Sequence, residues 1–214
     1  MEEEAAPARR PYDASGRRAA AEQRRLHVAQ VAAGLFAERG WGGTTIAQVA
    51  EEAGVSVELV TKTFGGKAGL FLDAFVSASL GSRSGLQEAY AELRLAEVPG
   101  PEDRLDRFVE FVCGLVVPMG PLLSVLSNGA EQDPALRDMA RVAQLSHLLV
   151  CEDVVRLVAT GAPAPDAVDE FYVLTRAETW LTFAQHRDWT PERYAAWLRR
   201  ALRAAVDGPA SGRD

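Results

Sequence analysis

Between residues 22 and 39, Val28, Ala32, Leu35 and Phe36 recur at the spacing of one helical face, and Gly40 predicts the end of that helix. Thr44 and Thr45 then offer an N-cap to a short helix whose apolar face is Ile46, Val49, Ala50 and Ala53. Gly54 breaks it. Ser56 caps a third helix with Val60 and Phe64 turned inward, closed by Gly65 and Gly66. Residues 45–64 thus spell helix, tight turn, helix, the supersecondary unit whose second helix can enter a major groove. Its outer positions, Val57, Glu58, Leu59, Thr61, Lys62 and Thr63, are left to meet something else.

The same periodicity continues to the end of the chain. Leu70, Phe71, Ala74, Phe75 and Ala78 open a fourth helix, expected to run to about residue 95 with a weak point near Gly81 and Gly85. Pro99–Pro101 separates it from a helix over 104–117, and Pro118 and Pro121 predict a break before a short segment at 121–128. Pro134 opens a long helix with Leu136, Met139, Ala140, Ala143, His147, Val150, Cys151, Val154 and Val158 on one face. Leu148, Leu149 and Val155 add apolar surface beside that face, so this helix is expected to be buried nearly all round. Two further helices follow, over 166–187 and 191–206. No stretch alternates with period two, so the fold class is all-α: a three-helix head over 21–67 and a helical body over 68–208. Residues 1–20 read as a flexible basic arm and 209–214 as a disordered tail.

Composition narrows the class. Over 214 residues, 48% hydrophobic and 25% charged, the chain is an ordinary globular protein. Cys113 and Cys151 cannot build a disulfide framework. Met1 is followed by Glu2, Glu3 and Glu4, where a secretory signal needs positive charge, so a cytoplasmic protein is expected. Residues 111–130 carry no charge and reach the length of a membrane span. Pro118, Gly120 and Pro121 in their middle favour buried helices instead, so no membrane partner is expected. The net charge of −7 is uneven: residues 5–67 hold nine basic against six acidic side chains, residues 68–214 fourteen against twenty-one. A basic front on an acidic body suits a nucleic-acid partner at the front. Arg9, Arg10, Arg17, Arg18, Arg24 and Arg25 are either a DNA-contacting approach or a solvated flank of the first helix.

Residues 28–71 carry a recognisable pattern: Phe36, Gly40, Thr44, Thr45, Ile46, Ala50, then Ala53-Gly54-Val55-Ser56, Phe64, Lys67 and Leu70. This resembles the DNA-binding domain of the tetracycline-repressor (TetR) family of bacterial transcription regulators, in order and without gaps over about a fifth of the chain. The resemblance implies a homodimeric regulator that binds double-stranded DNA with its head and a small-molecule effector with its body. By position it sets Thr44, Thr45 and Lys67 against phosphates, where helix amides and a point charge hold anions. It also makes Ser56–Phe64 the recognition helix. This sequence departs from the family where members usually carry Thr and, two residues on, Tyr; here stand Leu59 and Thr61, and Thr63 replaces a frequent His. Glu58 could accept from a cytosine amine and Val57 touch a thymine methyl, with Lys62 the groove-facing cation.

In the body, the resemblance implies a four-helix dimer interface built from the last two helices. Val173, Ala177, Trp180, Leu181 and Ala184 stripe one helix, and Trp197, Leu198, Ala201 and Leu202, with Tyr194 and Ala205, the other. The same stripes could serve the subunit's own core. Phe108, Phe111, Leu115, Met119 and Trp180 are candidate walls of an effector pocket and His147 its polar group, with core packing as the alternative for each. The expected function is a repressor that a small apolar effector releases from a palindromic operator; the alternative is a helical adaptor whose head no longer binds DNA. No catalytic site is expected. Gly65-Gly66-Lys67-Ala68 lacks the residues of a phosphate loop, no G-x-S-x-G occurs, and His27, His147 and His186 are too scattered for H-E-x-x-H. No metal or cofactor is expected either.

Overall fold

The computed structural model describes residues 14–81, 83 and 85–208, and among them there is helix and no strand. Ten α-helices follow in order: α1 Ala14–Gly43, α2 Ile46–Glu52, α3 Val57–Phe64, α4 Lys67–Leu80, α5 Leu86–Ala91, α6 Pro101–Gln132, α7 Pro134–Val158, α8 Ala167–Leu174, α9 Ala177–Arg187 and α10 Pro191–Asp207, with a 3₁₀ turn at Leu95–Glu97. None is long and apolar enough to cross a membrane among the described residues.

Local chemistry sets the boundaries of the head. Residues 14–20, expected in the arm, are helical, because Ala19, Ala20 and Ala21 extend a segment with no breaker after Gly16. The first thirteen residues of the arm and the tail at 209–214 lie outside the described residues. Helical geometry in α1 fails at Gly40, whose φ of 71° suits a residue without a Cβ. Thr45 and Gln48 form a reciprocal capping box at the start of α2. The Ser56 hydroxyl accepts the Leu59 amide at 3.1 Å, and Gly65 closes α3 in the left-handed conformation. Val28, Ala32, Phe36, Val49, Ala50, Val60 and Phe64 form the head's core.

Four expectations for the body change. The fourth helix stops at Leu80, where Gly81 takes φ 66°, and the chain resumes helix only at Leu86. Pro118 and Pro121 do not break their helix: α6 runs for 32 residues through both. Each proline removes one helical hydrogen bond, but both rings face solvent, and α6 packs against α1, α4, α7, α9 and α10 along its length. Tertiary packing overrides the local penalty. The helix expected over 166–187 divides at Thr175 and Arg176, the latter extended at ψ 145°. There the Thr175 hydroxyl donates to the Phe171 carbonyl at 2.6 Å. Finally, α7 is not buried all round, since Val142, Leu145 and Leu149 stand exposed.

Candidate nucleic-acid interface and the body behind it

On α3 the inward residues Val60 and Phe64 are buried, which leaves Val57, Glu58, Thr61, Lys62 and Thr63 exposed on the opposite side. Val57 is 48% accessible, an apolar side chain held out in water at the start of this face. Leu59 does not join that face. It is half-buried and, with Thr63, lines a groove of about 460 Å³ between α3 and the first turns of α1. Arg18, Arg24 and Arg25 line the other wall. Arg25 is held by Asp73 at 2.6 Å and Glu22 at 3.1 Å, while Arg18 and Arg24 are exposed. Cations therefore flank α3 from the side of α1.

Two residues expected against phosphates are turned elsewhere. Thr44 is 1% accessible, and its hydroxyl points inward to the carbonyls of Leu35 (3.1 Å) and Gly40 (3.0 Å). Its hydroxyl secures the end of α1, while Thr45, exposed beside it, uses its hydroxyl to cap α2. The Lys67 ammonium donates to the Trp41 carbonyl and lies 4.4 Å from the centre of the Trp41 ring. Burial pushes its pKa down, and Asp133 at the start of α7 partly offsets this. Lys67 thus pins the turn after α1 instead of projecting into solvent.

Trp41, which the sequence pattern did not single out, joins head to body. Its ring stacks on Phe36 at 5.8 Å and meets Phe71 edge-on at 5.9 Å, and Phe71 continues the cluster to Phe75. On its far side Gly129 of α6 admits it: a Cβ there would lie 3.3 Å from the Trp41 ring and 2.5 Å from Leu136 Cδ1. The only sequence signal is a large aromatic residue inside the glycine-rich Gly40–Gly43 turn.

The candidate pocket residues divide between buried and half-buried positions. Phe108 is buried and stacks on Phe171 at 6.3 Å; Trp180 is buried against Tyr194 at 5.3 Å. Phe111, Leu115 and Met119 are half-buried along one face of α6. His147 Nε2 lies 2.8 Å from the Thr175 hydroxyl. Since that hydroxyl gives its proton to Phe171, its oxygen accepts and His147 donates from Nε2. Burial and the nearby Arg176 push the imidazole down to about 4. Cys151, on the same turn, is pushed up to about 12 by burial, which keeps the thiol protonated and unreactive.

The stripes on the last helices serve the subunit's own core first. Ala177, Trp180, Leu198 and Leu202, expected at a dimer face, are buried within the chain. Leu181, Ala184, Trp197 and Ala201 are half-buried and Val173 is 58% accessible. Val173, Phe183 and Trp197 line a shallow groove of about 430 Å³ on this side. Among the described residues no group of His, Cys, Asp or Glu side chains is arranged to hold a metal ion.

Residues 29–74 match the family model of bacterial regulatory proteins, tetR family. No curated protein matches the chain by sequence. Solved structures match its fold along most of their length. A protein described as a transcriptional regulator from Pseudomonas aeruginosa PAO1 is 18% identical with a TM-score of 0.68, covering 87% of this chain and 92% of that one. One described as a TetR-family transcriptional regulator from Rhodococcus sp. is 22% identical with a TM-score of 0.61, covering 86% and 98%. NalD, the secondary repressor of the MexAB-OprM multidrug efflux pump in Pseudomonas aeruginosa, is 18% identical with a TM-score of 0.64, covering 87% and 98%.

Proposed function

We propose that this chain is a TetR-family transcriptional regulator, the family its head matches, and that it represses transcription as a homodimer on a palindromic operator and leaves it when a small apolar effector binds the body. The observation that carries the DNA-binding part is the outer face of α3. Val57, Glu58, Thr61 and Lys62 stand exposed on a helix whose other side is anchored in a rigid core, beside the exposed arginines of α1. In a major groove, Val57 suits a thymine methyl, Glu58 a cytosine amine and Lys62 a guanine edge or phosphate. Arg18 and Arg24 supply the backbone charge that the inward-turned Lys67 does not.

The dimer face is the outer side of α8, α9 and α10, where Val173, Phe183 and Trp197 border a groove open to a second subunit. Effector release runs through the packed joint between head and body. Phe111, Leu115 and Met119 lie on α6, whose far end holds Gly129 against Trp41. A ligand that prefers a different seat for α6 moves the head only by its differential affinity for the two arrangements. NalD, a repressor of an efflux pump with this fold, supports the sign of regulation.

The test is selection of duplexes from a random pool, then titration of the enriched sequence against salt. Arg24→Ala and Lys62→Ala each flatten the salt dependence by about one ion while leaving base preference largely intact. Glu58→Ala changes the preferred bases. Failure of the full chain to enrich any duplex at low salt would leave the helical-adaptor reading in its place.

A further inference from the structure

The exposed face of α7 is unpartnered within the subunit and has the spacing of a coiled-coil seam. Val142, Leu145 and Leu149 are 63%, 55% and 57% accessible, three of the six large hydrophobic side chains exposed among the described residues. Single exposed leucines need no explanation, but three in one row do. With Asp138 before them and Glu152 and Arg156 after, they fall at intervals of four, three, four, three and four, the repeat that keeps one stripe facing a second helix. Asp138, Glu152 and Arg156 carry no ion pair among the described residues.

The interval pattern reads the same in both directions, and the chemistry at its ends is complementary. Laid antiparallel on a second α7, Leu145 of one chain meets Leu149 of the other. Val142 falls beside Glu152, where the neighbouring Arg141 reaches its carboxylate, and Asp138 faces Arg156. Each contact occurs twice, as a two-fold axis requires. A parallel arrangement would set Asp138 on Asp138 and Arg156 on Arg156. The seam spans about 27 Å at 1.5 Å per residue.

We infer that α7 is a surface for a second copy of this chain, and that it joins two of the homodimers proposed above, on which reading it rests, into a dimer of dimers. The seam is separate from the α8–α10 face. The side of α7 that packs on α8 carries His147 and Cys151, both reaching Thr175, and the seam lies on the opposite side of the helix. A single helix pair with four leucines at its centre is a small interface, so association is weak in free solution. Two dimers on neighbouring sites of one DNA are held at high effective concentration, and there the seam gives cooperative binding.

Sedimentation velocity of the full-length chain over a concentration series tests this. The wild type passes from dimer to tetramer as concentration rises. Leu145→Glu weakens that step at least about tenfold and leaves the dimer whole. Asp138→Arg and Arg156→Asp each weaken it as well, whereas the two together restore it, a rescue that loss of folding would not give. A dimer that never advances, in wild type and Leu145→Glu alike, overturns the inference and leaves the dimeric regulator standing. A monomer at every concentration overturns the homodimer itself.

Discussion

His147 shows how one residue departs from the role its chemistry suggests. A histidine on an otherwise apolar helix face is a candidate polar group for a ligand, yet here its Nε2 proton goes to Thr175 at 2.8 Å. Burial and Arg176 hold its folded pKa at about 4, below the ordinary 6.5. Between these values the unfolded chain binds a proton that the native chain refuses, so stability climbs from about pH 4 to 6.5 and then levels. The complete shift is worth up to about 3 kcal/mol. Urea midpoints measured across that range should fall on the acid side in wild type, and His147→Gln should flatten that limb. An unchanged limb in the variant would mean that His147 titrates as it does in water. Gly69 makes the complementary point. A Cβ there would stand 1.9 Å from the Phe64 carbonyl oxygen, in backbone that has little room to yield. Gly69→Ala should therefore destabilise the chain by about 1–3 kcal/mol and displace α4 from the end of α3, read as a lower urea midpoint with weakened DNA binding. Equal midpoints would show that the α3–α4 turn relaxes freely.

Among the elements, those of the head are the most legible in sequence, because each of its boundaries is local. Gly40, Thr45, Ser56 and Gly65 sit where caps and left-handed residues are needed, and the structure uses all four. What local pattern cannot express is the direction of a side chain at a helix end. Thr44 and Thr45 are chemically alike, but one is turned to Leu35 and Gly40 and the other caps α2. Lys67 likewise reads as a surface cation until Trp41 is known to lie over it. In the body, propensity misleads at Pro118 and Pro121, since five packed neighbours hold α6 helical through both. The split at Thr175 is a side-chain event, a hydroxyl bonded to its own backbone and to His147, with no Gly or Pro to announce it. Leu149 and Val155 look equivalent in the sequence, and the structure exposes one and buries the other because α7 is covered on one side only.

At the scale of the whole molecule, the head is fixed to a long helical body by the packing of α1 on α4 and α6, with Trp41 at the junction. Trp41 sits between the Phe36–Phe71–Phe75 cluster and Gly129, so in the proposed release a shift of α6 would be felt at the end of α1. In the proposed dimer two such heads read two half-sites, with their α3 helices about one duplex turn apart, roughly 34–36 Å. The most direct measurement takes the duplex selected by the full chain and inserts half a helical turn, then a full turn, between its half-sites. Affinity is predicted to fall to the non-specific level with the half-turn insertion, which puts the second half-site on the opposite side of the duplex. Affinity that is indifferent to the insertion, or a selected site with no two-fold symmetry, would contradict a paired head.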